Sequence, residues 1–378
     1  MRSPIRVMPR GVTGPTVRFG VPVGALAFAL LLGAIILAIA GNDPIEAYRT
    51  MFDASLNGWK SQSRTLALAT PLILTGLAAA VAFQMRVYNI GGEGQLYLGA
   101  IGASWVGLAL PATTPAPLML SAMLIVGALA GACWALLAAI PKAFFNADEI
   151  ITTLMLNFIA LSVMNWLIFG SRSFWRDPRR PVPGGKRLPE NAVMPSISGR
   201  LHIGIIIAIV AAVFLWWLLR KTSWGFQIRT IGDSPRAASY AGMSVRVKTM
   251  AVLALSGALA AIAGVSEVSG VTKGLEPIAL TTNIGFTGII VAVVARSNPL
   301  GVVPVSIFLA AIATSGSRLQ SIGINVEVVL LLQGLIFLTV TAGEFFVTNS
   351  LSLARTDAAE TGPPPATGNG ATEIEAAV

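Results

Sequence analysis

The sequence predicts an all-α polytopic membrane protein of about ten transmembrane helices, with one further short helix in a cytoplasmic loop. Three observations lead to this prediction. Hydrophobic residues make up 54% of the 378 residues and charged residues only 11%, and the mean hydropathy is +0.75. Long segments carry no charged residue, as bilayer-spanning helices require. The 26 lysines and arginines outnumber the 17 acidic residues and cluster between these segments, which is typical of loop orientation rather than nucleic-acid binding.

The chain begins with a basic segment, residues 1–18, which contains arginines and no acidic residue. The apolar run that follows is longer than the core of a signal peptide, although Ala38-Ile39-Ala40 imitates a cleavage site. We therefore expect an uncleaved first span that leaves the N-terminus in the cytoplasm.

Charge-free runs predict the remaining spans. They cover residues 65–85, 94–141, 150–171, 201–219, 249–266, 277–295, 297–317 and about 324–343. The run at 94–141 is long enough for two spans and is interrupted by prolines. Together they define a membrane domain over residues 19–347 with both chain termini in the cytoplasm. Residues 348–378 are rich in proline, glycine and acidic residues, and we expect them to be disordered.

Two loops are strongly basic. Residues 220–248 contain six basic residues against Asp233, which places this loop in the cytoplasm. Residues 171–200 are also basic, yet alternation from a cytoplasmic N-terminus requires them to be external. Either the number of upstream spans is wrong by one, or this proline-rich segment is an external loop.

The centre of the 220–248 loop has the sequence signals of a short helix, over residues 232–242. Ser234 can cap its start, Pro235 suits the first helical position, and Gly242 suits a left-handed exit. A helix of about seven residues is too short to be stable alone in water, so it should lie against something. Its small alanine face indicates a docking surface for a partner.

A second unusual segment, residues 88–95, follows the second predicted span. Its three glycines around one acid predict irregular backbone rather than a helix interior. The segment is either a broken helix that presents polar groups to a pathway, or an ordinary cytoplasmic turn between two spans.

Polar side chains in or beside the spans are candidates for such a pathway, because they are costly in a bilayer and usually face a bundle interior or a cavity. The candidates are Asn89, Glu93, Gln95, Asn157, Glu267 and Asn283. For Asn157 the alternative is interhelical hydrogen bonding, and for Glu267 it is the outer end of a span in contact with water.

The sequence contains no residue pattern typical of a catalytic site. A single histidine, His202, and a single cysteine, Cys133, predict no metal site, no cofactor and no hydrolytic triad. The only Gly-Lys pair, Gly185-Lys186, lacks the Ser or Thr of a phosphate-binding loop. If the protein transports actively, the energy must come from outside the chain.

Five segments, in this order, resemble the permease subunits of bacterial ABC importers. They are Asn89-Ile-Gly-Gly-Glu-Gly-Gln95, the stretch from Asn146 to Asn157, Arg229-Thr-Ile-Gly232 with Ala237-Ala238-Ser-Tyr-Ala-Gly242, Gly264-Val-Ser-Glu267, and Asn283-Ile-Gly-Phe-Thr-Gly with Asn298-Pro-Leu-Gly301. The resemblance covers about residues 60–345. It is to the branch for simple sugars and nucleosides, and above all to nucleoside permeases that work with a basic-membrane-lipoprotein type binding protein.

The resemblance implies a non-catalytic permease of the bacterial inner membrane that moves a nucleoside or simple sugar by alternating access. Its partners would be cytoplasmic ABC ATPase subunits, a second and shorter permease, and an external substrate-binding lipoprotein. Residues 171–200 would then be external. The short helix would be the coupling helix that fits a groove on the ATPase. The residues assigned to this role are Gly232, Ser234, Pro235, Arg236, Ala237, Ala238, Tyr240 and Gly242.

Two other hypotheses stay open on the sequence alone. An ion-coupled secondary transporter would need a carboxylate within the bundle, for which Glu93 and Glu267 are the candidates. A membrane scaffold subunit would have no pathway at all. The coupling-type loop favours the ABC permease over both.

Overall fold

A computed structural model of the protein describes residues 5–9, 15–170 and 172–353. Residues 354–378, which form most of the tail predicted to be disordered, lie outside the described residues. So do residues 1–4 and 10–14 of the basic N-terminal segment.

The described residues are mostly helical. The long and short α-helices are α1 (Pro15–Ile39), α2 (Pro44–Ser55), α3 (Trp59–Gln84), α4 (Gly92–Ala109), α5 (Ala116–Phe145), α6 (Glu149–Asn165), α7 (Gly204–Lys221), α8 (Ser223–Asp233), α9 (Pro235–Tyr240), α10 (Val245–Ser266), α11 (Pro277–Leu280), α12 (Ile284–Val294), α13 (Pro299–Ser321) and α14 (Val326–Thr348). Wider π-helical turns extend α6 over Trp166–Gly170 and α10 over Glu267–Thr272, and a 3-10 turn covers Glu190–Ala192.

The described residues also include four short strands. They are β1 (Ile5–Pro9), β2 (Ser196–Ser198), β3 (Leu201–His202) and β4 (Asn349–Leu353). β1 pairs antiparallel with β4, which brings the two ends of the described chain side by side, and β2 pairs antiparallel with β3.

Among the described residues, seven helical segments are long and apolar enough to cross a membrane, or up to eight if the bent pair α1 and α2 counts as one span. The prediction of an all-α polytopic membrane protein is confirmed, whereas about ten spans is not. The two predicted spans that are missing from this count are α4 and α14. α4 begins with the polar sequence Gly92-Glu93-Gly94-Gln95, which lowers its hydropathy, and only Leu330–Gly343 of α14 counts as a shorter apolar helix.

The centre of the bundle is α3, most of whose residues are buried against α7, α10, α12 and α13. Beside it, α4, α5 and α10 pack at backbone contact. A Cβ placed on Gly99 would lie 2.2 Å from the carbonyl oxygen of Ala261, and one on Gly131 would lie 2.5 Å from that of Gly257. Small residues at these crossings let helices approach closely, as in membrane helix packing.

The connecting loops meet at two opposite ends of the bundle. At one end, which we call the α9 end, Arg86 pairs with Asp233 across 3.2 Å and Gln84 donates to the carbonyl oxygen of Ser297 at 2.9 Å. At the opposite end, Asn191 donates to the carbonyl oxygen of Thr114 at 2.8 Å. The 171–200 loop and the 220–248 loop therefore lie at different ends, joined by α7, as alternation of the spans requires.

Candidate functional site

The short helix α9 forms as the sequence predicts. The Ser234 side chain accepts a hydrogen bond from the backbone N–H of Ala237 at 3.3 Å, and Pro235 occupies the first position. Gly242 follows with φ of +78°, a left-handed conformation that favours glycine. The helix spans Pro235–Tyr240, close to the expected length.

The residues assigned to docking divide between two faces of α9. Ala238 is fully buried and Gly232 is buried, whereas Tyr240 is 94% exposed. The remaining assigned residues, Ser234, Pro235, Arg236, Ala237 and Gly242, are exposed. The exposed face of α9 therefore combines an arginine, a small alanine and a tyrosine, while the second alanine packs the helix against the bundle.

The preceding helix α8 holds α9 in place. Thr222 caps its start by accepting from the N–H of Gly225 at 3.3 Å, and Arg229 donates to the carbonyl oxygen of Leu219 at the end of α7. At its other end, Gly232 packs on the end of α3, where a Cβ would lie 2.8 Å from the carbonyl oxygen of Gln84. α8 and α9 thus form a unit attached to α7 and α3, which we call the α8–α9 unit.

The sequence did not predict α8, which reads as a polar loop. Two buried isoleucines at helical spacing, Ile228 and Ile231, together with the capping Thr222, are the signal that could have revealed it.

The segment that leads from α3 into α4, residues 86–91, has irregular backbone, as expected. Its backbone is bonded to α6: Tyr88 N–H donates to the Glu149 carboxylate at 3.3 Å, and Ile90 N–H donates to the Thr153 hydroxyl at 3.2 Å. The Asn157 amide donates to the carbonyl oxygen of Ile90 at 2.8 Å. The segment is therefore a turn between α3 and α4 whose polar groups are satisfied by α6.

The last part of the glycine-containing segment, residues 92–95, is helical and forms the first turn of α4. Here the expectation of irregular backbone is wrong. The physical reason is that side chains cap the free N–H groups of this turn: Asn89 Oδ1 accepts from Gly91 N–H at 2.9 Å, and Asn157 Oδ1 accepts from Gly94 N–H at 2.8 Å.

The side chains of Asn89 and Gln95 bond to each other. The Asn89 amide donates to Gln95 Oε1 at 3.0 Å and to the Ser256 hydroxyl on α10 at 2.8 Å, and Gln95 donates back to Asn89 Oδ1 at 3.1 Å. Ser256 in turn donates to the carbonyl oxygen of Ala78 on α3 at 2.6 Å. This buried network joins α3, α4 and α10.

The carboxylate of Glu93 also has hydrogen-bond partners on two helices. Its carboxylate accepts from the Tyr97 hydroxyl at 2.7 Å and from the backbone N–H of Gly285 at 2.6 Å. Asn283 precedes α12 with φ of +57° and makes no capping bond with its own side chain. Glu93 therefore takes the place of a cap for α12.

The structure thus brings four of the six pathway candidates together at the α9 end, where their side chains form hydrogen bonds that connect neighbouring helices. These four are Asn89, Glu93, Gln95 and Asn157. Asn283 lies beside the partner of Glu93 and is exposed. Glu267 lies apart, towards the opposite end, in the π-helical turn of α10.

Glu267 lines a cavity of about 1320 Å³ at the opposite end of the bundle. The single histidine, His202, lines the same cavity and is buried, with 1% of its surface exposed. Burial lowers the pKa of His202 below its usual value. A lone histidine gives no sequence signal for such a position, because its neighbours come from distant parts of the chain.

The described residues form a bundle of apolar helices with a capped, exposed helix at one end and a cavity at the other, as expected of a multi-pass membrane protein. Residues 61–341 match the family described as "Branched-chain amino acid transport system / permease component", and the chain belongs to this family.

Similar proteins include the glucose ABC transporter permease protein TsgB13 of Haloferax volcanii, which is 30% identical over 98% of this chain and 100% of that protein. The guanosine ABC transporter permease protein NupP of Bacillus subtilis is 35% identical over 81% of this chain and 86% of its own length. The nucleoside ABC transporter permease protein NupB of Lactococcus lactis is 33% identical over 82% and 86%. No solved structure matches the chain. The resemblance to ABC importer permeases of the sugar and nucleoside branch is thereby confirmed.

Proposed function

We propose that the chain is the transmembrane permease subunit of an ATP-driven importer that moves nucleosides, or simple sugars, across the cell's inner membrane by alternating access. The names of its relatives and the exposed, rigidly mounted α9 support this proposal. The nucleoside substrate is preferred because two of the relatives compared above carry nucleosides in their names.

In this proposal α9 docks in a groove on a cytoplasmic ABC ATPase, which makes the α9 end cytoplasmic and places both chain termini and residues 220–248 there. Tyr240 and Arg236 would provide the main contacts, because exposed aromatic and arginine side chains dominate binding energy at interfaces. Residues 171–200 would lie outside and meet a substrate-binding lipoprotein. α4, which is largely buried, and α14, whose apolar part is short, would complete about ten spans.

The contacts at the α9 end supply a route for the movement of α9 into the bundle. The α8–α9 unit rests on the end of α3 through Gly232, and the segment that follows α3 is bonded to α6, α10 and α12 through Tyr88, Asn89 and Glu93. A displacement of α9 by the ATPase would therefore move α3, α6, α10 and α12 together.

A second permease, different and shorter, would complete the pathway. The bundle presents many apolar side chains outward, including Leu129, Phe158 and Phe214, so a partner helix or lipid can cover them. Of the two carboxylates that the ion-coupled alternative could use, Glu93 accepts hydrogen bonds from Tyr97 and Gly285, which leaves Glu267 as its remaining candidate.

The test is co-purification of the ATPase with this chain. Tyr240→Ala and Arg236→Ala should each lower the amount of bound ATPase and abolish most uptake, while the variants still insert in the membrane. Phe145→Ala is the control, since Phe145 is also strongly exposed, 81%, at the α9 end but lies outside the α8–α9 unit. Unchanged ATPase recovery with both α9 variants would refute the docking role. Ion-driven uptake into proteoliposomes that contain this chain alone would refute the ABC mechanism.

A further inference from the structure

The loop of residues 171–200 carries a charge excess that its position does not explain. It contains seven basic residues against Asp177 and Glu190. Lysines and arginines of short loops are normally retained on the cytoplasmic side, yet this loop lies at the end of the bundle opposite to α9. The proposed substrates, nucleosides and simple sugars, are uncharged and do not need these cations. The excess therefore indicates an anionic partner at this end.

Some of this charge lies at the mouth of the 1320 Å³ cavity, together with basic residues from other parts of the chain. Four basic side chains line the cavity: Arg64 on α3, Arg187 in the loop, Arg200 in the turn between β2 and β3, and Lys273 after the π-helical turn of α10. We call these four residues the basic rim. Of the two carboxylates on the same lining, Glu267 is 6% exposed and belongs to the buried wall, so only Glu190 is exposed.

The basic rim has no anionic partner in the described part of the chain. None of its four side chains forms an ion pair or a hydrogen bond with a residue that the structure describes. Elsewhere in the same loop, by contrast, Arg180 pairs with Glu276, and the Lys186 ammonium lies 4.9 Å from the centre of the Phe174 ring. Charges of one sign around a cleft attract groups of the opposite sign, so the rim favours an anionic occupant.

Main-chain hydrogen bonds hold the basic rim in place. Leu188 N–H donates to the carbonyl oxygen of Lys273 at 2.9 Å, and Met194 N–H donates to that of Ser269 at 2.9 Å. Arg200 lies in the turn that joins the paired strands β2 and β3. A loop that is already ordered loses little conformational entropy on binding, so the rim is suited to recognising another surface.

The position and size of the cavity favour a protein as the occupant rather than a lipid headgroup or a small anion. Arg64 lies on α3, the buried centre of the bundle, whereas lipid would cover the apolar sides of the bundle. At about 1320 Å³ the cavity exceeds the roughly 300–1,000 Å³ of a typical small-molecule pocket, so it can admit a protruding loop. In the proposed importer, the protein that meets this end is the substrate-binding lipoprotein.

We propose that the basic rim docks a loop of the substrate-binding lipoprotein that carries aspartate or glutamate side chains. The three arginines pair with carboxylates through their planar guanidinium groups, and Lys273 adds a fourth cation. The same charges attract the lipoprotein to the mouth of the cavity before contact is made. This inference rests on the proposed function and adds the chemistry of the partner's surface and the residues that recognise it.

The first experiment uses the complete importer in liposomes, with the lipoprotein added outside without its lipid anchor. Uptake of guanosine or glucose is recorded at increasing lipoprotein concentration. Arg187→Glu should raise the concentration for half-maximal uptake about tenfold, and Arg187→Lys, which keeps the charge, less than about threefold. Arg179→Glu is the matched control, expected to shift it less than about twofold, because Arg179 is an exposed arginine of the same loop that does not line the cavity.

The salt dependence provides a readout that a purely structural role of Arg187 would not change. Salt screens the attraction between exposed charges, so the half-maximal concentration for the wild type should rise between about 50 and about 300 mM NaCl. Arg187→Glu should make this dependence flatter, whereas Arg179→Glu should leave it as steep as in the wild type.

A carbodiimide cross-link tests the contact directly. The reagent activates a carboxylate of the lipoprotein, and the Lys273 amine then displaces the urea by-product and forms an amide bond. Mass spectrometry should find Lys273 joined to an aspartate or glutamate of the lipoprotein. Lys273→Arg keeps the positive charge but cannot form this amide, so the link should be missing.

The possible outcomes separate the two proposals. Equal shifts for Arg187→Glu and Arg179→Glu, or no cross-link at Lys273, would overturn the docking surface. So would an effect of Arg187→Glu that occurs in phosphatidylglycerol vesicles and vanishes in phosphatidylcholine vesicles, because the rim would then bind lipid. If the wild-type importer takes up neither guanosine nor glucose, the proposed function fails, whereas the cross-link still decides the docking surface.

Discussion

The carboxylate of Glu93 on α4 accepts a hydrogen bond of 2.6 Å from the backbone N–H of Gly285, the second residue of α12. A Cβ on Gly285 would lie 2.3 Å from the backbone nitrogen of Glu93, so the two helix starts touch. A buried helix start without a capping partner leaves its N–H groups unsatisfied. Glu93 therefore joins α4 and α12 into one body at the α9 end.

Removal of this carboxylate should destabilise the bundle. Glu93→Ala leaves the Tyr97 hydroxyl and the Gly285 N–H without an acceptor, and we expect a loss of about 1–3 kcal/mol in the free energy of unfolding. Glu93→Gln, which keeps one acceptor oxygen, should lose less. Thermal unfolding of the purified chain in detergent measures this, with Glu46→Ala as the exposed control, expected to stay within about 0.5 kcal/mol. Equal midpoints for Glu93→Ala and wild type would contradict the capping role.

The two alanines of α9 should respond differently to a bulky substitution. Ala237 is exposed, so Ala237→Trp should leave folding intact and block the ATPase sterically. Ala238 is fully buried, so Ala238→Trp should overpack the contact with the bundle and destabilise it by about 1–3 kcal/mol. Comparing ATPase co-purification with the unfolding midpoint for both variants tests this. If the two variants behave alike, the assignment of the faces is wrong.

Contact of the α8–α9 unit with α3 should depend on Gly232 more than on the nearby ion pair. Gly232→Val must displace α8, because even a Cβ would lie 2.8 Å from the carbonyl oxygen of Gln84, and uptake should fall at least about tenfold. Arg86→Ala removes a pair whose side chains are 66% and 76% exposed, and such pairs contribute about 1 kcal/mol or less. Uptake assays at matched membrane expression compare the effects of the two variants. A stronger loss with Arg86→Ala would overturn the ranking.

Acid should weaken the fold through His202. Burial lowers the pKa of His202 in the folded protein below the usual 6.5, so the unfolded chain binds the proton more readily. Its contribution to stability is complete above about pH 6.5 and declines as the pH falls below that value. The unfolding midpoint of the wild type should therefore drop more between pH 7.5 and 5 than that of His202→Asn, which retains an acceptor for Gly204. Parallel pH profiles would show that the histidine is not buried in its neutral form.

The parts of the site that could be predicted from sequence are those set by neighbours along the chain. Ser234, Pro235 and Gly242 define α9 through capping and backbone preferences that act within a few residues, and the structure agrees with each. The basic loops and charge-free runs likewise anticipated the two ends of the bundle.

The parts that could not be predicted depend on distant partners. Asn89 bonds with Ser256, and Glu93 with Gly285, across 167 and 192 residues of sequence, so the sequence shows polar residues near spans but not which of them are satisfied. The same reason hides the cavity, where Glu267, His202 and Thr314 come from three separate elements. α4 was recognised as a span by its lack of charge, although its polar first turn keeps it below the hydropathy of a lipid-facing helix.

The wide turn at Glu267–Thr272 accommodates one residue more than an α-helical turn would. Each residue of an α-helix rotates the chain by about 100°. Deleting one residue here would restore the regular α-helical repeat. The side chains that follow would then be rotated around the helix axis. A single insertion or deletion in this turn would therefore be a short evolutionary step that changes which residue lines the cavity. The part of α10 before the turn would keep its neighbours.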